Sequence, residues 1–243
     1  MTNLRTQAHD DGVDASERRP RLIAVEGEIG RPAPESSRRV VPPRTPYTRV
    51  VKPAFDRTAA GIALFVAIIP MAAISVVIAI TMGRPVLFRQ RRVGLDGEVF
   101  EVLKFRTMNS DRRANRLDVI HDRRETHKST SDPRHTRVGR ILRKYSLDEL
   151  PQLINVVRGE MSIVGPRPEL ESIVVSDYPV GLDQRHQVRP GLTGLWQISA
   201  RGEGEMHQNG GWDLDYVEQV SLLTDLRIIV KTPTAMLGEN AGS

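Results

Sequence analysis

From Ala59 to Met82 the chain runs AAGIALFVAIIPMAAISVVIAITM, 24 residues without a charged side chain. No other stretch constrains the fold so strongly, because this much contiguous apolar surface must be covered by protein or by lipid. At ~1.5 Å per residue, a helix of that length crosses a hydrocarbon core of ~30 Å. Two features favour a different course. Pro70 stands near the middle, where it removes a backbone hydrogen bond and kinks or breaks a helix. Both flanks are basic: Arg49, Lys52 and Arg57 precede the segment, and Arg84, Arg89, Arg91 and Arg92 follow it. A spanning helix shows an asymmetry, with the richer side cytoplasmic. Basic flanks at both ends suit a re-entrant hairpin, broken at Pro70, that enters one leaflet and returns with both ends in the cytoplasm. Each arm of about eleven residues reaches ~16 Å. An ordinary signal-anchor helix that tolerates its proline is the alternative, since backbone exposed at a break in lipid needs partners.

Around this segment the composition divides the chain. Residues 1–48 hold six of the sixteen prolines, charges of both signs and only a short apolar run, LIAV, which reads as a disordered tail. No apolar core directly follows the N-terminal charges, so a cleaved signal peptide is not expected. The hairpin occupies 49–83, a soluble domain 84–236 and a flexible end 237–243. Within the domain, PVLFRQRRVGLDGEVFEVLKFRTM reads as two strands around a Gly-Leu-Asp-Gly turn at 94–97. Residues 109–135 are polar and read as a helix and loop. RVGRILRKY places Val138, Ile141, Leu142 and Tyr145 on one helical face, with arginines on the other. A helix over 150–158, a strand at SIVG, a loop at GPRPEL, a strand at LTGLWQI and helices from Trp212 onward complete the reading. The expected fold class is α/β (α+β): a small mixed domain with amphipathic interfacial helices, carried on the membrane hairpin.

Charge is concentrated beside the membrane segment. The whole chain carries +5, yet Arg84 to Lys144 alone holds seventeen Lys and Arg against eight Asp and Glu. Such a patch suits anionic membrane lipids, and the same sign suits phosphorylated substrates. The absence of cysteine excludes disulfides and thiolate metal sites.

Against that basic background, YSLDELPQL at 145–153 sets Asp148 and Glu149 side by side, directly after RILRK. Ser146 and Glu149 fit the S-x-x-E capping box, and acids at a helix start gain ~0.3–1 kcal/mol from the dipole, which is a sufficient structural account. The surrounding cations argue for more. Arg140, Arg143 and Lys144 precede the pair. Arg167 stands between two prolines in GPRP, presented with little backbone freedom, and its fork suits phosphate oxygens. Lys104 and Arg106 alternate in KFRTM and share a face if this is a strand. An acid pair among phosphate-binding cations points to phosphoryl transfer with a divalent metal.

Taken together, FDRTAAG with the following proline, GRPVLFRQRRVGLDGEVFEVLKFRTM, TRVGRILRKYSLDELPQLINVVRGEMSIVGPRPEL, RPGLTGLWQI and WDLDYVEQVSLLTDLRIIVKT resemble the bacterial sugar transferase family. These are monotopic polyprenyl-phosphate phosphoglycosyl transferases that initiate exopolysaccharide or glycan assembly, and this chain resembles their short form. The resemblance covers about Lys52 to Thr232. It implies a sugar-1-phosphate moved from a UDP-sugar to polyprenyl (undecaprenyl) phosphate with release of UMP, at the cytoplasmic face of the inner membrane. It also implies Asp148 as nucleophile, Glu149 as a Mg2+ ligand, and Arg167 and Lys104 as the arginine and lysine of its motifs. Arg106 and Arg143 join them as candidate phosphate-binding residues. The family places serine before the proline of its re-entrant helix; here Ile69 stands there and supplies no hydroxyl to the break.

Other readings compete. Asp148 as a general base in a ternary complex uses the same residues. A membrane-anchored basic scaffold needs no metal. Nucleic-acid binding explains the charge but not the dyad, and two Trp, four Tyr and five Phe offer few stacking platforms, so no nucleic-acid partner is expected. A homo-oligomer is open. His121, His127, His135, His186 and His207 show no ligand spacing, and Trp196, Trp212 and Tyr216 read as packing or interfacial residues.

Overall fold

The computed structural model describes residues 39–108, 136–176, 178–199 and 210–237. The polar stretch 109–135, the tail through residue 38, residues 238–243 and His121, His127, His135 and His207 lie outside the described residues. One turn of π-helix over Tyr47–Val51 leads into α1 (Lys52–Met82), which remains helical across Pro70. Two separate arms were expected from the sequence; the loss of one backbone hydrogen bond does not interrupt the helix here. Along α1, Asp56, Ala60, Leu64, Ala67, Met71, Ile74 and Ile78 recur at steps of three and four and are buried or half-buried. The opposite side exposes Ile62, Phe65, Val66, Ile69, Val77 and Ile80, with Pro70 among them. One stripe packs on protein, and the rest is apolar surface left uncovered among the described residues.

Both ends of α1 are tied to the same folded body. At the start, Lys52 Nζ lies 2.7 Å from Asp225 Oδ2, and Ser162 Oγ donates to Asp56 Oδ2. At the end, the Arg106 guanidinium donates to the carbonyl oxygens of Met82 and Gly83. Those carbonyls have no partner inside the helix, so a cation there answers both the hydrogen bonds and the dipole.

The hairpin forms as the sequence suggests. β1 (Leu87–Val93) and β2 (Val99–Phe105) pair antiparallel from Leu87 opposite Phe105 to Val93 opposite Val99. The turn between them takes Asp96 and Gly97 into positive φ. α2 (Arg137–Lys144) and α3 (Gln152–Arg158) follow, then β3 (Ser162–Val164), β4 (Glu169–Leu170) and α4 (Glu171–Ser176). β5 (Gly191–Thr193), α5 (Leu195–Ser199), α6 (Gly211–Glu218) and α7 (Leu222–Leu237) complete the chain. β4 joins β1 as the third strand of one sheet, and β3 pairs parallel with β5. The fold is mixed helix and sheet with one long apolar helix.

Four expectations are corrected. The segment expected as one strand, LTGLWQI, is a short strand followed by a helix, and the expected loop GPRPEL ends in β4. On α2, Val138 and Leu142 face inward as expected, but Ile141 and Tyr145 are exposed. The reason is Gly139: a Cβ there would stand 1.9 Å from the Thr107 carbonyl oxygen, so the helix rolls onto its glycine. The tail does not run to residue 48, because Val40 is buried and bonded through its amide to Gln184 and through its carbonyl to Gln187.

Three clusters form the core. Ala60 of α1 packs with Val102, Val156 and Met161; Ile78 of α1 packs with Phe105 and Leu142; Val164, Tyr216, Val220 and Ile228 form the third. Asn155, fully buried, ties α3 to β2: its Oδ1 accepts from the Leu103 amide at 3.1 Å, and its Nδ2 donates to the Glu101 carbonyl at 2.7 Å. This staple sets Lys104 against the residues that precede α3.

Candidate active site

The Asp-Glu pair occupies a single 3₁₀ turn, Leu147–Glu149, entered through Ser146 in the left-handed region at φ 53°. A non-glycine residue there costs of order 1 kcal/mol and is held by its surroundings. The capping box expected from Ser146 and Glu149 does not form. Ser146 makes no side-chain cap, and Pro151 occupies the N-cap of α3. Glu149 turns instead to the cations: its Oε1 lies 2.8 Å from Lys104 Nζ and 3.3 Å from Arg167 Nη2. Lys104, Glu149 and Arg167 therefore meet in one cleft with Arg92, Val102 and Gln152.

Asp148 is buried, at 9% exposure. Burial, with Glu149 adding to it, pushes its carboxyl up to about 6, while Lys104, its own backbone amide and Arg167 pull the other way. At neutral pH it is mostly a carboxylate, poorly solvated and close to two cations. That is the state a nucleophile or general base requires.

Arg167 is held through the backbone of its loop. Prolines at 166 and 168 supply no N–H, and the three successive carbonyls all accept. Pro166 O accepts from the Gly191 amide at 2.8 Å, Arg167 O from Arg185 Nη2 at 2.5 Å, and Pro168 O from Arg92 Nη1 at 2.9 Å. Gly165 and Gly191 cross so closely that a Cβ on Gly191 would stand 2.1 Å from the Gly165 nitrogen. The loop is fixed, and its arginine side chain points from it into the cleft.

The other two candidates do not join. Arg106 is spent on the end of α1, so Lys104 and Arg106 do not share a task. Arg143, half-buried in the last turn of α2, is not among the residues lining the cleft. The sequence reading missed Arg92, Arg185 and Asn155. Arg92 was detectable by counting outward from the turn: it faces Phe100, on the side of the hairpin that carries Val102 and Lys104. Arg185 pairs with Asp213, Nη2 to Oδ2 at 2.6 Å, both fully buried, and the same nitrogen donates to the Arg167 carbonyl. No local pattern announces that partnership. His186 stacks on Tyr178 and is driven down to about 3 by burial and by Arg185, so it stays neutral and structural.

The cleft encloses about 10 Å³, room for roughly one water molecule. The donor set also bears on metal. Among the described residues no group of three His, Cys, Asp or Glu side chains could hold an ion. Two adjacent carboxylates do fit Mg2+, which takes one or two from protein and the remaining oxygens from water and substrate phosphate.

Residues 47–239 match the family of bacterial sugar transferases. The chain belongs to that family. Its relatives include the exopolysaccharide production protein ExoY of Sinorhizobium fredii, 40% identical over 205 residues, covering 79% of this chain and 87% of the relative. The UDP-glucose:undecaprenyl-phosphate glucose-1-phosphate transferase of Caulobacter vibrioides is 42% identical over 217 residues, 82% of this chain and 76% of its own. The UDP-galactose-lipid carrier transferase of Erwinia amylovora is 38% identical over 192 residues, 76% of this chain but 40% of its own. In this sugar transferase Glu149, the lysine of β2 and the arginine of the GPRP loop line one cleft inside the matched span, and Asp148 directly precedes Glu149 in the same turn.

Proposed function

We propose that this sugar transferase moves a hexose-1-phosphate from a UDP-hexose to a polyprenyl phosphate, releasing UMP, through a covalent intermediate on Asp148. The observation that carries the reading is the buried Asp148 carboxylate, pushed up to about 6, beside a Glu149 already engaged by Lys104 and Arg167. Asp148 attacks the sugar-bearing phosphorus. The bond from that phosphorus to the bridging oxygen breaks, and UMP leaves with the electron pair. A phosphate oxygen of the polyprenyl carrier then attacks the same phosphorus, and the Asp148 carboxylate is released. One phosphoanhydride replaces another, and no proton need move. Lys104 and Arg167 offset the charge of the diphosphate, Arg167 through its planar fork. Mg2+ held by Glu149 would supply further neutralisation of phosphate charge. The names of relatives divide between glucose and galactose and support a hexose without choosing one.

The lipid substrate calls for a site at the membrane surface. A monotopic α1 on the cytoplasmic face of the inner membrane is supported by the ties of both its ends to one body. A true span would set those ends on opposite sides of ~30 Å of hydrocarbon. Pro70 lies on the exposed side of α1 and supplies no N–H to the Val66 carbonyl. α7 adds an interfacial face, with Leu222, Leu223, Leu226 and Val230 exposed beside Arg227 and Lys231. The test is UMP release from UDP-glucose and UDP-galactose by the purified protein with Mg2+ and polyprenyl phosphate. Release that depends on the carrier for turnover supports the reading, and no release from either nucleotide sugar refutes it for these hexoses.

A further inference from the structure

A second cationic space lies at the other end of α3. Gln152 opens α3 and lines the dyad cleft; Gly159 caps α3 and lines a separate cavity of about 330 Å³. Seven residues of helix put roughly 10 Å between them. Five cations, Arg44, Arg49, Lys52, Arg57 and Arg189, line this cavity with one carboxylate, Asp56. That carboxylate is answered by Lys52 at 3.4 Å and by Ser162, and Lys52 is shared with Asp225. Among the described residues no carboxylate lies within ion-pair distance of Arg44, Arg49, Arg57 or Arg189. Four guanidinium groups without a carboxylate partner among the described residues surround one cavity and form a site for an anion with several acceptor oxygens.

The cavity also has apolar walls, built by Pro53, Met161, Val188 and Val220. A free phosphate has no use for them. The position is equally telling: Arg49, Lys52 and Arg57 occupy the turns of helix just before the uncharged run that begins at Ala59. If α1 enters the bilayer, this is the level of the headgroups. Part of the wall, Pro42, Pro43 and Arg44, precedes the span matched by the family.

We propose that this cavity seats the phosphate-bearing headgroup of an anionic phospholipid, with the glycerol carbons against Pro53, Met161 and Val188. The proposal rests on the membrane reading of α1 and not on the chemistry at Asp148. A headgroup with its own cation, such as choline, meets four arginines unfavourably, so phosphatidylglycerol is bound in preference to phosphatidylcholine.

The test uses the full-length protein in nanodiscs of phosphatidylcholine, with or without phosphatidylglycerol, and native mass spectrometry to count retained lipid. The wild-type protein should retain phosphatidylglycerol. The double variant Arg44→Ala/Arg49→Ala should lose at least about tenfold in retention, as expected for two charge-assisted contacts. Its UMP release in phosphatidylcholine nanodiscs should stay unchanged. Arg89→Ala/Arg91→Ala removes the same charge from the exposed side of β1 and should retain the lipid. Equal loss in both double variants would mean diffuse attraction and overturn the site, as would full retention by Arg44→Ala/Arg49→Ala. Displacement of the lipid by inorganic phosphate would reassign the cavity to a soluble anion. Failure of the wild-type protein to float with phosphatidylcholine vesicles would remove the membrane reading and the proposal with it, whatever UMP release shows.

Discussion

Asp148 and Asp225 are both buried acids, at 9% and 4% exposure, and the fold treats them in opposite ways. Asp225 is saturated. Its Oδ2 accepts from Tyr47 at 2.5 Å and from Lys52 at 2.7 Å, and its Oδ1 accepts from Tyr216 at 2.8 Å. Those bonds join α7, α6 and the start of α1, so this carboxylate is a fastening. Asp148 has cations nearby, yet among the described residues no side chain donates to its carboxylate, and burial with Glu149 pushes it up to about 6. A buried acid with every oxygen answered holds structure together. One left short of donors is held ready for a ligand.

Exchanging the two effects is the sharpest way to break that contrast. Asp148→Asn removes the nucleophile and should lower UMP release by a factor on the order of 10⁴ or more. It should also stabilise the fold at neutral pH, by at most about 3 kcal/mol, because the amide carries no charge to desolvate. Asp225→Asn should do the reverse, costing about 3 kcal/mol in denaturant unfolding as a buried pair loses one partner. Its rate per folded molecule should stay near wild type. Matching losses of rate and stability in both variants would erase the distinction.

A smaller effect is expected at Arg167. Arg167→Lys keeps the charge but loses the fork, and the rate should fall by about 10². Stability should move by less than about 1 kcal/mol, since the side chain is partly exposed and its loop is gripped through carbonyls. A large loss of stability with the rate retained would make this arginine a structural residue.

The smallest effect is in pH. UMP release should fall about tenfold per unit below about pH 6, where Asp148 takes up a proton. Stability has the opposite sign. The folded pKa lies above the unfolded value, so this group favours the fold when protonated and loses that contribution as pH rises through about 6. The stability gap between Asp148→Asn and wild type should therefore widen from about pH 4 to pH 7.

How much of this was legible in the sequence depended on how local the determinant was. The hairpin, the helix start near residue 150 and the special standing of GPRP are written in turn residues, periodicity and prolines within a few positions. The meeting of Lys104, Glu149 and Arg167 could be suspected from charge and from the family resemblance, but their distances come from Asn155, a polar residue inside the apolar run QLINVV. Arg106 misled because alternation in a strand ends where the strand ends, at Phe105, and the exposed carbonyls of α1 claimed it. The grip of Arg185 on Arg167, and its ion pair with Asp213, span 18 and 28 residues of chain, and nothing in either neighbourhood signals the other. LTGLWQI failed as a strand for a related reason: β5 ends at Thr193, and Gly194 leads into a helix whose Gln197 is buried.

In the proposed mechanism Asp148 becomes covalently linked to the phosphosugar. The direct measurement is mass spectrometry of the wild-type protein mixed with UDP-hexose and Mg2+, without polyprenyl phosphate, and quenched rapidly in acid. A hexose-phosphate mass is expected on a peptide containing Asp148, with one UMP released per adduct, and no adduct in Asp148→Asn. Normal turnover once the carrier is added, with no adduct at any quench time, would contradict it and leave Asp148 a general base.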